Sequence, residues 1–87
     1  MRPSVMIVTY EGARQWLAEI GGTWEVANEP TPPRTRRAIV VSVRTADGQI
    51  VQRHALLDDM LTTGFERRLA LRGAFVRACE ELKRALE

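Results

Sequence analysis

A strand-like stretch followed by a turn signal constrains this chain more than any other feature. Residues 38–45 alternate between apolar and more polar side chains, which is the period-two pattern of a half-buried strand. Asp47-Gly48 then supplies the residues that a tight hairpin turn requires, and residues 50–55 return with β-branched character. The sequence therefore predicts an antiparallel hairpin in the middle of the chain.

The register of this hairpin stays open at the level of sequence. A two-residue turn places Gln52 and His54 opposite the apolar face of the first strand. A three-residue turn places Val51, Arg53 and Ala55 there instead. Neither set is uniformly apolar, so the pattern does not choose between the two registers.

Two amphipathic helices flank the hairpin in the sequence. Residues 11–20 repeat apolar side chains at helical spacing, and Gly21-Gly22 supplies the positive φ that ends a helix. Residues 65–87 form a longer helix of roughly 33 Å, enough to cross a three-stranded sheet. Its apolar stripe consists of Leu71, Phe75, Cys79, Leu82 and Leu86.

The apolar stripes of the helices are expected to pack against the apolar faces of the strands, because each alone would leave its apolar surface in water. Residues 23–28 alternate as a further strand, and the short apolar run over residues 5–8 offers another within residues 1–10. We therefore predict one α+β domain over residues 1–87. It has a small antiparallel sheet of three strands, or four with the N-terminal one, two helices packed on one face, and a long C-terminal helix.

Composition excludes several classes of protein. A single cysteine rules out an internal disulfide and a multi-thiolate metal site, and it suits a reducing cytoplasm. Cys79 lies in the helical stripe, where it is expected to be a small buried hydrophobe. No apolar run reaches the roughly 18 residues of a membrane span, and the start lacks the pattern of a signal peptide. We expect a cytoplasmic protein that does not enter a membrane.

The sequence contains few residues of the types that catalysis needs. His54 is the one imidazole, and Ser4 and Ser42 are the only serines, whereas nucleophilic catalysis needs a nucleophile, a base and a group that orients the base. Asp58-Asp59 are adjacent acids that point apart on a helix, which suits a helix start better than a metal site. The chain has neither a glycine-rich phosphate loop nor zinc-ligand spacing. We expect no enzyme, no metal and no cofactor.

Positive charge is concentrated in the middle of the chain. Twelve arginines, one lysine and 11 carboxylates give a net charge of +2, but residues 1–29 carry −2 and residues 30–57 carry +4. Three prolines in residues 29–33 lack an N–H, so residues 29–37 are predicted to form an exposed loop that carries Arg34, Arg36 and Arg37. In such a loop Arg36→Ala should leave the melting temperature almost unchanged. This surface is the one best suited to an acidic partner, although a GC-rich genome also raises arginine content.

The start of the last helix resembles the second helix of double-stranded-RNA-binding domains. Arg67-Arg68 repeats the pair of bases with which that helix opens, and small residues follow at Ala70, Ala74 and Ala78. Leu71 stands where the family has a third lysine, and residues 55–63 are several residues longer than the matching connection. The segment Leu17-Ala18-Glu19 is similar to the Leu-x-Glu of the family's first helix.

The resemblance implies an αβββα fold that recognises A-form RNA through phosphates and 2′-hydroxyls. It implies that Glu19 meets ribose hydroxyls and that the arginine loop enters a second minor groove. We expect a non-catalytic nucleic-acid-binding module whose candidate contacts are Arg34, Arg36, Arg37, Arg67, Arg68, Arg72 and Glu19. The alternative is a protein-interaction domain, either a homodimeric adaptor or an inhibitor such as an anti-CRISPR or related anti-defence protein.

Overall fold

The computed structural model of the chain describes residues 9–31, 34–57 and 64–87. Two helices enclose three strands in chain order: α1 (Tyr10–Glu19), β1 (Thr23–Thr31), β2 (Arg34–Arg44), β3 (Ile50–Leu56) and α2 (Gly64–Leu86). The strands form one antiparallel sheet in the order β1-β2-β3. The predicted α+β fold with a long C-terminal helix is confirmed. The run at residues 5–8, offered as a fourth strand, lies outside the described residues, as do Asp58 and Asp59.

Helix α1 begins and ends at residues suited to those positions. Thr9 is extended, and its Oγ1 accepts a hydrogen bond from the Gly12 N–H at 3.0 Å, which satisfies one of the unpaired donors of the first turn. Gly21 has a φ of 72°, a conformation that costs glycine little. The Gly22 N–H then donates to the Leu17 carbonyl at 2.8 Å. The chain thereby leaves α1 and enters β1 within a few residues.

The hairpin between β2 and β3 adopts the register of the three-residue turn. Val41 lies opposite Arg53, and Val43 lies opposite Val51. The Thr45 N–H donates to the Gln49 carbonyl at 2.8 Å, which leaves residues 46–48 as the turn. Gly48 takes the left-handed position with a φ of 86°, as three-residue hairpin turns require.

The predicted exposed loop over residues 29–37 is wrong for most of its length. Pairing continues through Glu29 opposite Arg36, and on to Thr31 opposite Arg34. Pro30 is tolerated because β1 is an edge strand, where a missing N–H that points away from the neighbouring strand removes no bond of the ladder. The hairpin therefore extends several residues further than the proline content indicates. Residues 32–33, which connect the two strands, lie outside the described residues.

The core lies between the helices and one face of the sheet, which we call the inner face. Phe75 is 1% exposed, and its ring meets the rings of Tyr10 and Trp24 edge-on at centroid distances of 5.5 Å and 5.3 Å. Cys79 is buried, as predicted, and this burial raises the pKa of its thiol to about 12. The other main core residues are Ala13, Leu17, Ile39, Val41, Ala74, Ala78 and Leu82.

The opposite face of the sheet, the outer face, carries polar groups. His54 Nε2 lies 3.4 Å from Glu29 Oε2 across the sheet. On β2, His54 lies opposite Val40 and Glu29 lies opposite Arg36. The ion pair therefore passes over Ala38, which is fully buried. No helix within the described residues has both the length and the apolar character that crossing a bilayer requires.

Candidate functional site

Three arginines from two distant parts of the chain line one hollow on the surface. Arg37 belongs to β2, whereas Arg67 and Arg68 belong to the first turns of α2, about thirty residues later. The hollow has a volume of about 210 Å³. Its remaining walls are apolar and consist of Leu57, Ala70 and Leu71. We call this group the arginine hollow.

Leu57, at the end of β3, and the first turns of α2 both lie beside Arg37. The Leu57 N–H donates to the Arg37 carbonyl at 2.9 Å, and the Leu57 side chain is buried in the core. α2 begins at Gly64 and packs across both β3 and β2. Its first turns therefore lie at the end of the sheet that carries Arg37.

The arginine hollow combines cationic walls with an apolar floor. Arg37 and Arg67 each take part in a further interaction within the folded chain. Arg68 is exposed, and no hydrogen bond or ion pair of its guanidinium is found among the described residues. A guanidinium presents a planar fork of donors that fits the oxygens of a phosphate or carboxylate. Chemically, the hollow is suited to an anionic group with a small apolar neighbour.

Arg36 points away from this hollow. Adjacent residues of a strand face opposite sides of the sheet, so once residues 34–44 form β2, Arg36 and Arg37 separate. The Arg36 Nη2 donates to the Leu57 carbonyl at 3.0 Å in a partly buried position. Arg36 thus holds the end of β3 against β2, a structural role that the exposed-loop prediction did not anticipate.

Arg72 belongs to a neighbouring group on α2. Its Cζ lies 5.0 Å from the centroid of the Tyr10 ring, and the Arg14 Cζ lies 5.6 Å from the same ring. Such contacts contribute about 0.5–1 kcal/mol at exposed sites. The guanidinium of Arg72 therefore helps to hold α1 against α2.

Glu19, a further predicted contact, is not brought into the arginine hollow. Glu19 is the last residue of α1 and accepts a hydrogen bond from Gln15 Nε2 at 3.2 Å. The chain leaves α1 for Thr23, which pairs with Ser42, and Ser42 lies five residues, or about 17 Å of strand, from Arg37. Arg34 begins β2, and its side chain is not among the described parts of the structure.

A second hollow, which the sequence interpretation missed, adjoins the first. It has a volume of about 250 Å³ and is lined by Phe65, Arg68, Leu69 and Arg72. Phe65 is 64% exposed and Leu69 is 52% exposed. We call it the apolar hollow. Helical phase contains the signal that was overlooked, because at about 100° per residue Leu69 lies about 120° from Phe75 and so falls outside the core stripe.

Groups that would suit a metal are not assembled in the described part of the chain. No three His, Cys, Asp or Glu side chains gather there.

Comparison with protein-family models, curated proteins and solved structures finds no match to this chain. Its function is therefore inferred from its own residues.

Proposed function

We propose that this protein is a non-catalytic nucleic-acid-binding module that contacts backbone phosphates through Arg37, Arg67 and Arg68. One observation carries the proposal: these three side chains line a single hollow although they come from a strand and a helix far apart in sequence. Scattered cations would neutralise phosphates one by one. Clustered guanidinium groups bind one stretch of backbone at several points.

The surroundings of the arginine hollow support an anionic ligand. α2 begins close to the hollow, and the N-terminus of a helix carries a partial positive charge. The central residues 30–57 carry a net charge of +4. Both features favour polyanions without reading base sequence. We propose the cytoplasm as its compartment, where the free Cys79 would stay reduced.

The proposal is tested by the salt dependence of binding. Labelled duplex RNA, duplex DNA and single-stranded RNA are titrated with the protein, and the dissociation constant is measured by fluorescence anisotropy from about 50 to 200 mM salt. At most three phosphate contacts on a duplex predict a log–log slope no steeper than about −2.7, or a loss of affinity of up to about 40-fold over this range. A flat response, or no binding at low salt to any of these probes, would refute the proposal.

Two variants locate the interaction. Arg68→Ala should make the salt slope shallower by about one unit, because one phosphate contact is lost. Arg44→Ala is the matched control, since Arg44 is an exposed arginine at the hairpin end of β2. Equal weakening by both variants would show that the charge of the whole protein, rather than the arginine hollow, attracts the nucleic acid.

The exposed apolar side chains favour a second candidate function, that of a protein-interaction domain. Phe65 and Leu69 are one helical turn apart and both face solvent, and neighbouring exposed apolar groups are typical of interaction surfaces. This candidate includes a homodimeric adaptor and an inhibitor of the anti-defence class. The mass in solution tests the dimer, because the chain has a mass of 9.8 kDa and a dimer has twice that.

A further inference from the structure

The arginine hollow and the apolar hollow are joined through one side chain. Arg68 lines both. On one side of it lie Arg37 and Arg67, and on the other lie Phe65 and Leu69. A ligand that extends across Arg68 would therefore meet cations first and exposed apolar groups next.

The exposed Phe65 ring and the neighbouring Leu69 offer a ligand an apolar surface beside the arginine hollow. The phosphates and sugars on the outside of a duplex offer little that packs on a phenyl ring, because the bases are stacked inside. An unpaired strand offers both components in each nucleotide, a phosphate for a guanidinium and a base whose flat face stacks on an aromatic side chain. Among the ligands of a nucleic-acid-binding protein, the unpaired strand is the one that matches both hollows.

Charge complementarity supports the same occupant. The first three turns of α2, residues 64–75, contain Arg67, Arg68 and Arg72 with Glu66 as the single acid, which gives a net charge of +2. A second copy of this chain would bring the same positive charges together. An anionic strand would be attracted to them.

We infer that the nucleic acid bound by this protein is single-stranded, with its phosphates in the arginine hollow and one unpaired base stacked on Phe65. The inference rests on the proposed function and specifies its substrate class. Arg68 contacts the strand between the phosphate and the base. Leu69 extends the apolar surface by one turn, or about 6 Å along the helix axis.

The experiment compares one short RNA strand with the same strand annealed into a blunt duplex. Both are titrated with the wild-type protein, Arg68→Ala, Phe65→Ala, Phe65→Trp and the control Ile50→Ala. Ile50 is also an exposed apolar residue, but it lies at the hairpin end of β3. Dissociation constants at low salt and the melting temperature of each variant are measured.

The expected result is a selective loss. Phe65→Ala should weaken single-strand binding about 5-fold to 150-fold, the effect of removing one stacked base, and should leave duplex binding and the melting temperature nearly unchanged. Phe65→Trp should bind the strand at least as well as the wild type, because it keeps an aromatic face. Ile50→Ala should behave as the wild type.

Failure of this inference is distinguishable from failure of the proposed function. One result would overturn the single-strand inference and leave the proposed function intact. In it, the protein binds the strand and the duplex equally strongly, Arg68→Ala abolishes this binding, and Phe65→Ala does not change it. The absence of binding to either probe at low salt would overturn both and favour a protein partner for the apolar hollow. Failure of Phe65→Trp to bind the strand would also overturn the stacking assignment.

Discussion

Replacement of Phe75 tests whether the core is organised around this one ring. Phe75 is 1% exposed and meets two other rings edge-on. A buried Phe→Ala substitution costs about 3–5 kcal/mol, and the two lost ring pairs place Phe75→Ala near the upper end of that range. A domain of 87 residues has a free energy of unfolding of about 4–13 kcal/mol. Phe75→Ala should therefore remove a large part of the stability or all of it.

The assays are urea unfolding and thermal unfolding followed by tryptophan fluorescence, which is informative because Trp24 touches Phe75. Each kcal/mol corresponds to about 4–8 °C in the melting temperature of a domain of this size. The expected loss is thus about 16–40 °C. Should Phe75→Ala not fold, Phe75→Leu keeps the apolar volume, loses the ring contacts and is expected to cost about 1–3 kcal/mol.

The same helix supplies the matched control. Phe65 is 64% exposed, so Phe65→Ala should change the free energy of unfolding by no more than about 0.5 kcal/mol. If Phe65→Ala and Phe75→Ala destabilise the protein equally, the face of α2 that packs on the sheet has been assigned incorrectly. In that case the apolar hollow is not exposed to solvent either.

Three further changes test the contacts that hold the elements together. Arg36→Ala should lower the free energy of unfolding by about 1–2 kcal/mol, because the Leu57 carbonyl loses its charged donor; urea unfolding measures this, against no change expected for an exposed loop. Thr9→Ala should cost about 1 kcal/mol in the same assay, because the Gly12 N–H loses its cap. For Cys79, burial raises the pKa of the thiol from 9.0 to about 12, so its contribution to stability is complete below about pH 9 and is lost as the pH rises toward 12. Unfolding measured across this alkaline range follows that loss.

Each of these changes has its own control. Arg44→Ala removes an exposed arginine from the same strand as Arg36, and equal costs for the two variants would contradict the bond to Leu57. Thr9→Ser keeps the capping hydroxyl and should retain the stability that Thr9→Ala loses. Cys79→Ala removes the thiol, so its stability should decline less between about pH 9 and 12 than that of the wild type. Identical alkaline declines would assign the effect to other groups.

Local patterns were sufficient for most of the elements. The alternation in residues 38–45 and the apolar spacing in residues 65–87 predict β2 and α2 to within a few residues, because period-two and period-3.6 patterns are properties of neighbouring residues. The same patterns could not extend the hairpin through Pro30. A proline is acceptable on an edge strand and disruptive on a central one, and a strand's place in the sheet is not encoded locally.

The candidate site shows the same division. The sequence indicated clusters of arginine in two segments, and the structure places Arg37, Arg67 and Arg68 in one hollow. Arg36 lies on the opposite face of the sheet and bonds to Leu57. Arg72 packs over the Tyr10 ring, and Glu19 lies near the other end of the sheet. Strand alternation explains the separation of Arg36 from Arg37 once the segment is known to be a strand. The hairpin register, which the alternation alone left open, is shown by the pairing of Val43 with Val51 and by the hydrogen bond from the Thr45 N–H to the Gln49 carbonyl.

The sequence by itself determined the fold class and the central part of the core, because both depend on apolar side chains recurring at the periods of strands and helices. Leu86, which the helical spacing placed in the apolar stripe, is 39% exposed. Only the tertiary structure decided which charged side chains meet and which apolar ones remain in solvent. Those outcomes depend on how α2 packs across β2 and β3, and this is a relation between residues about thirty positions apart that no local pattern contains.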